Sequence, residues 1–309
     1  MKKDAVFDSS FLLHPSSFLL FMPARQPFTA LCQLAARGRH VGRADLHVHT
    51  TASDGTYRAD QIIDLARRSG LSAIAITDHD TWASVPAARL AAGESGVEVV
   101  TGVEISAEYQ GEELHLLGYF VDENDGPLAA ALERVRRGRS ERFREMIERL
   151  RGCGVSIGKD ELEGEPPVAL GRRHLAELIV RARRASTVRE AFVRYLQDGG
   201  RVAVPKQRVP VAEALALVAG AGGVAAWAHP SYDCERGHVL ELRGLGLGAL
   251  EVDFPAIRGA RGRELRAWAA ALGLAVTGGS DCHGPGRNAP GSHGISATEL
   301  EQLRQTAAR

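Results

Sequence analysis

From Ala44 onward the chain alternates short apolar runs with amphipathic stretches, and no other feature restricts its fold so strongly. The runs are 44–50 (ADLHVHT), 71–77 (LSAIAIT), 97–105 (VEVVTGVEI), 113–121 (ELHLLGYFV), 223–229 (GVAAWAH), 248–254 (GALEVDF) and 274–280 (LAVTGGS). Each has the length of a strand, and strands spaced by helices bury their faces in an α/β architecture. Between the first two runs Ala59, Ile62, Ile63 and Ala66 fall at i, i+3, i+4 and i+7, and Gly70 supplies the stop. Further helices are expected at 84–93, 211–220 and 260–272, with a short one near 297–307 packed on the rest. A chain of 309 residues accommodates one large α/β barrel or two ordinary domains.

Residues 122–210 interrupt the alternation. They contain GRSERFREMIERLR and GRRHLAELIVRARR and no convincing strand, so an inserted helical subdomain is expected between the barrel segments 44–121 and 211–309. On its first helix Phe143, Met146, Ile147 and Leu150 form the apolar stripe, Arg139 and Arg142 lie on a neighbouring face, and Gly152 and Gly154 end it. Residues 1–43 show neither helical nor strand periodicity. Their lysines and apolar stretch imitate a secretory leader, but Asp4, Asp8 and His14-Pro15 interrupt the pattern. The segment is expected to be disordered or a mis-started extension, with Met22 as an alternative start.

The 38 basic and 38 acidic residues cancel, which argues against a protein that coats nucleic acid through bulk charge. Four cysteines (Cys32, Cys153, Cys234, Cys282) without a CxxC pair fit a reduced, cytoplasmic setting. No apolar run is long enough to span a bilayer.

In a strand, alternate side chains share a face, so His47 and His49 point the same way and can reach one ion. Asp54 follows in a glycine-flanked loop that can fold back over them. Nearly every later strand also carries or precedes a ligand type: His79, Glu104, His115, His229, Asp281 and His283. Six of eleven histidines thus fall on the rim where barrel enzymes keep their chemistry. Singly, each residue has an ordinary reading: a core or surface histidine, a solvated carboxylate, a helix cap in the case of Asp78 and Asp80, a buried spectator in the case of Cys282. As a set, nine nitrogen and oxygen ligands exceed what one ion takes, so two or three divalent ions are expected. Glu104 is the natural bridge between them. Imidazole and carboxylate without thiolate suit Mn, Fe or Zn better than Mg alone.

The motifs DLHVHTTASDGT, ITDHDT, GVEIS, LHLLGYFVD, AHP and GSDCHG, in that order, resemble the PHP family, the polymerase and histidinol phosphatase domains. The resemblance covers about 44 to 284. It implies a distorted seven-stranded β/α barrel, a trinuclear metal site held by the nine residues above, and phosphoesterase activity. Within the family the chain resembles the branch of nucleoside 3',5'-bisphosphate phosphatases and 5'-3' exoribonucleases, whose helical insertion carries RxxR and GRPHxA elements. Here these read Arg139-Ser140-Glu141-Arg142 and Gly171-Arg172-Arg173-His174-Leu175-Ala176, with Arg173 in place of Pro. The resemblance makes Arg139, Arg142, Arg172 and His174 candidate substrate-binding residues. A solvated arginine-rich helix face is the plainer reading.

The expected chemistry is metal-assisted attack of water on a nucleotide phosphomonoester, manganese foremost, with Asp54 or His283 assisting the leaving oxygen. Adenosine 3',5'-bisphosphate and short 5'-phosphorylated RNA are the expected substrates, with no obligate protein partner. The alternatives are a histidinol-phosphate-type phosphatase, a metal-dependent amidohydrolase and a non-enzymatic RNA-binding module.

Overall fold

Short apolar segments such as Ala-Ile-Ala-Ile and Val-Ala-Ala-Trp are buried along their whole length, as strands covered on both faces must be. In the computed structural model, which describes residues 43–93, 95–157, 167–257, 259–286 and 288–307, they join one sheet. Its strands are β1 (Arg43–Val48), β2 (Ala73–Ile76), β3 (Glu98–Tyr109), β4 (Glu112–Tyr119), β5 (Val209–Pro210), β6 (Val224–Trp227), β7 (Ala249–Asp253), β8 (Ala275–Gly278) and β9 (Ile295–Ser296). Their order is β8-β7-β6-β4-β3-β2-β1-β9, with β5 beside β3. Past β8, Val48 forms a parallel bridge with Cys282, and the His49 N–H donates to the Cys282 carbonyl at 3.0 Å. The two ends of the sheet therefore meet, and it nearly closes into the expected α/β barrel.

Helices α1 (Ala59–Arg68), α2 (Val85–Ala92), α6 (Val211–Gly220), α7 (Arg236–Gly244), α8 (Gly259–Leu272) and α9 (Ala297–Ala307) surround the sheet. On α1 the predicted face, Ala59, Ile62, Ile63 and Ala66, is buried, while Asp64 pairs with Arg67 and Arg68 on the outside. Asp78 and Asp80 do not cap the helix that follows them. The residue preceding α2 is Ser84, and both carboxylates are used elsewhere.

Besides the two-residue β9, which lies antiparallel to β1, one longer strand runs against its neighbours. Gln110 and Gly111, with φ of 54° and 87°, make a two-residue turn whose twist matches a tight hairpin. β4 therefore lies antiparallel to β3, and also to β6. This hairpin takes the place of a β/α unit, and it puts the beginning of β4, where His115 sits, at the end of the barrel where the other strands finish.

Between β4 and β5 lie α3 (Gly126–Gly152), α4 (Arg172–Arg181) and α5 (Val188–Ala191), the last running into a π-helical turn, Phe192–Leu196. The Asp125 side chain starts α3 by accepting the Leu128 N–H at 2.8 Å. Leu128, Leu132 and Val135 of α3 pack into the barrel core. Farther along, Phe143, Met146, Ile147 and Leu150 pack with Leu175, Ala176, Leu178 and Ile179 of α4 in a separate apolar cluster. At 27 residues α3 is about 40 Å long, enough to join both cores as one rigid rod. The expectations for residues 1–42 lie outside the described residues.

Candidate metal centre

His47 and His49, two apart on β1, are buried on one face as strand parity requires. Gly279 of the neighbouring strand end lies against the backbone of His47, where a Cβ would collide with it. The chain then doubles back: the Gly55 N–H donates to the Thr50 carbonyl at 2.9 Å, and this returns Asp54 to the mouth. Asp78 holds that loop by accepting from Thr50 N–H at 2.7 Å and from the Thr50 and Ser53 hydroxyls at 2.6 Å each. His229 and Asp281 sit at positive φ, 29° and 47°, a strained backbone that turns these strand-end residues inward.

Glu104 is the hub. It lies three residues past Thr101, where the pairing of β3 with β2 ends, and forms an isolated bridge with His79. Its Oε2 is 3.0 Å from His79 Nδ1, 3.2 Å from His49 Nε2 and 3.5 Å from His47 Nε2. Its Oε1 is 2.8 Å from His115 Nδ1 and 3.1 Å from His229 Nε2. On the far side Asp54 Oδ1 lies 3.2 Å from His283 Nε2, and Asp281 Oδ1 lies 3.3 Å from His49 Nε2. The nine residues singled out in the sequence fall into four overlapping groups, in each of which the ligand atoms lie within 4.8 Å of one another. These groups are His49–Asp54–His79–His283, His47–His49–Asp281, His47–Glu104–His229 and His79–Glu104–His115.

The residues fit metal ions for a specific reason. His47 Nε2, His49 Nε2, His79 Nδ1, Glu104 Oε2 and Asp54 Oδ1 are buried yet make no hydrogen bond among the described residues. Atoms of this kind are costly unless something charged completes them. Burial opposes ionisation of Glu104, but His79, His115 and His47 hold its carboxyl well below the usual range. Burial likewise opposes the charged form of His49, and Asp281 and Glu104 nonetheless raise it to about 10. At His79 burial prevails and lowers the imidazole to about 4. The carboxylates thus demand positive charge at the centre, and cations can supply it in place of protons.

Two acidic partners behind the histidines were not singled out in the sequence. Glu251, buried in β7, lies 3.0 Å from His47 Nδ1 and accepts the His229 N–H at 2.5 Å. Glu113 lies 2.8 Å from His115 Nε2 and pairs with Lys206. Both are the carboxylate–histidine arrangement that fixes the tautomer of a metal-facing imidazole. The signal for Glu251 was present, a charge inside the apolar run GALEVDF.

Of the basic residues marked as substrate contacts, Arg139 is buried and turned inward. Its Nε donates to Asp80 at 2.7 Å, Nη2 to the Ser106 hydroxyl at 2.8 Å and Nη1 to the Leu170 carbonyl at 3.2 Å. His174 is also engaged: Nδ1 accepts the Gly171 N–H at 2.9 Å and Nε2 lies 2.8 Å from the Ser53 carbonyl, in the loop that carries Asp54. Arg142 donates from Nε to the Val204 carbonyl at 2.7 Å, and Arg172 pairs with Asp198 at 2.6 Å. Two of the clefts that border the centre are walled in part by α4. One, of about 530 Å³, is lined by His115, His229, Glu113, Trp227 and Arg172. The other, of about 460 Å³, is lined by Asp54, Asp281, His283, Arg173 and Phe192. Cys282 is buried, and burial pushes its thiol up to about 12, which suits a spectator.

A sequence profile of the PHP domain matches residues 45–160. A 5'-3' exoribonuclease of Haemophilus influenzae is 30% identical over 246 residues, covering 78% of this chain and 90% of that protein. A 3',5'-nucleoside bisphosphate phosphatase of Chromobacterium violaceum is 30% identical over 262 residues, covering 82% and 91%. Among solved structures, a protein of Bifidobacterium adolescentis assigned as a metal-dependent phosphoesterase superimposes with a TM-score of 0.78 at 30% identity, over 85% of this chain and 96% of that one. The chain belongs to the PHP domain family and is a hydrolase of phosphate esters.

Proposed function

We propose that the protein removes a phosphate monoester from nucleotides, foremost the 3'-phosphate of nucleoside 3',5'-bisphosphates, and that short 5'-phosphorylated RNA is a further substrate. The observation that carries this reading is Glu104, a buried carboxylate ringed by five imidazoles. The activities of the two relatives, a 5'-3' exoribonuclease and a 3',5'-nucleoside bisphosphate phosphatase, support the nucleotide as substrate class. His47, His49, Asp54, His79, Glu104, His115, His229, Asp281 and His283 are then ligands of two or three divalent ions, manganese foremost, with Fe, Zn and Mg as alternatives. When bound, such ions activate water and neutralise charge developing on phosphorus.

The chain's own residues do the rest. Glu104 offers one oxygen to His47, His49 and His79 and the other to His115 and His229, so it is placed to bridge. Asp54 and His283, 3.2 Å apart on a cleft wall, hold the proton that passes to the leaving oxygen. Arg142 and Arg172 contact substrate from the helical segment 122–210, which serves as a lid. Arg139 and His174 act as positioning residues, the first through Asp80 and Ser106 and the second through the Asp54 loop. No helix among the described residues is long and apolar enough to cross a membrane; a cytoplasmic setting is part of the same proposal. The test is a rate comparison of metal-loaded protein on adenosine 3',5'-bisphosphate, a 5'-phosphorylated tetraribonucleotide and histidinol phosphate. Fastest turnover of the bisphosphate is expected, and dominant hydrolysis of histidinol phosphate would overturn the reading.

A further inference from the structure

Arg172 and Arg173 open α4, and consecutive helical residues diverge by about 100° around the axis. They enter different clefts, Arg172 the one beside His115 and His229, Arg173 the one walled by Asp54, Asp281 and His283. Their electrostatic situations differ as well. The Arg172 guanidinium is 2.6 Å from Asp198, donates to the Leu196 carbonyl at 3.4 Å and stacks over the Phe192 ring at 6.0 Å. Arg173 makes a single ion pair, from Nε to Glu177 at 3.3 Å within its own helix. Among the described residues no atom of the Arg173 guanidinium makes a hydrogen bond: Nε is buried without one, and Nη1 and Nη2 have no partner either.

We propose that Arg173 determines specificity by holding, through its two free Nη groups, the phosphate that the substrate keeps while its neighbour is cleaved. This rests on the nucleotide-bisphosphate reading above and adds a residue to it. A second phosphate entering this cleft meets two carboxylates, Asp54 and Asp281, so it needs a cation on the opposite wall. Arg139 and His174 have spent their donors inside the protein, and Arg173 has not. A guanidinium fork matches two phosphate oxygens at once. Val188 and Phe192 add an apolar side against which a sugar can rest, and Asn288 adds an amide.

The experiment compares wild-type, Arg173→Gln and Glu177→Gln proteins, metal-loaded, on adenosine 3',5'-bisphosphate and adenosine 3'-monophosphate. Arg173→Gln is expected to lower kcat/KM for the bisphosphate about 10- to 100-fold, mainly through KM, and to leave the monophosphate within about twofold. Glu177→Gln, which frees the guanidinium further, is expected to keep the preference. Calorimetric binding of adenosine 5'-monophosphate, the product that keeps the second phosphate, should weaken by a similar factor in Arg173→Gln, while binding of adenosine is unchanged. Equal effects on both substrates, or none, together with unaltered binding of the monophosphate product, would overturn the proposal. A wild-type protein that shows no preference for the bisphosphate defeats the substrate reading instead, and the binding comparison then decides on Arg173 alone.

Discussion

Replacing Glu251 with Gln perturbs the centre through a residue outside the four ligand groups. Glu251 is buried; one of its oxygens faces His47 Nδ1 at 3.0 Å and the other accepts the His229 N–H at 2.5 Å. With a carboxylate there, His47 keeps its proton on Nδ1, and it is Nε2, 3.5 Å from Glu104 and from Asp281, that can exchange its proton for a metal ion. A carboxamide has one accepting and one donating end. The His229 N–H claims the acceptor, so the amide NH2 must face His47 Nδ1 and drive the ring to the other tautomer. The proton on Nε2 then occupies the space a metal ion would need. Loss of such an outer partner costs about 10- to 100-fold in metal affinity, which is about 1.4 to 2.7 kcal/mol. Competition with a chelator measures it on metal-free protein reloaded with Mn, and circular dichroism checks that the variant is folded. A folded Glu251→Gln protein with an affinity within about twofold of wild type refutes the tautomer reasoning.

Other outcomes follow from the same geometry. Glu104→Gln should remain folded, lose at least one ion per chain by elemental analysis, and lose about 10²- to 10³-fold or more in turnover; undiminished metal content counts against the hub. Arg139→Met leaves Asp80 buried without its 2.7 Å partner, so urea unfolding should register a loss of about 3–5 kcal/mol. Adding Asp80→Asn should recover part of that loss, and strictly additive losses would contradict the pairing. Burial holds His174 below its ordinary pKa, and its Nδ1 accepts a hydrogen bond, so the folded state favours the neutral ring. Its contribution is complete above about pH 6.5, the unfolded value, and is lost as the pH falls below it. Melting midpoints between about pH 7 and pH 5 should therefore decline more steeply in wild type than in His174→Asn, and parallel curves would exclude this role.

Much of the barrel was legible because the relevant rules are local. Two-residue parity put His47 and His49 on one face, and helical spacing put Ile62, Ile63 and Ala66 inside. The direction of β4 was less accessible, since it depends on two residues, Gln110 and Gly111, taking positive φ between two strand-like runs. Only with that reversal does the register set Ser106 opposite His115 and Glu104 opposite Leu117, which brings Glu104 and His115 together diagonally. Arg139 shows the opposite limitation. Helical periodicity placed it on a polar face, but that face meets the barrel, and its partner Asp80 is 59 residues away. Pairings of such range leave no trace in a periodic pattern. Lys206 and Glu113 escaped notice for the same reason.

Central to the account is the convergence of nine side chains from separate strand ends on shared ions. Anomalous diffraction at the manganese edge, from crystals of protein loaded with Mn, tests it directly. Two or three peaks among His47, His49, Asp54, His79, Glu104, His115, His229, Asp281 and His283 are predicted, with Glu104 between at least two of them. A fully loaded crystal with no peak inside this cluster, or with its manganese bound elsewhere, would contradict it.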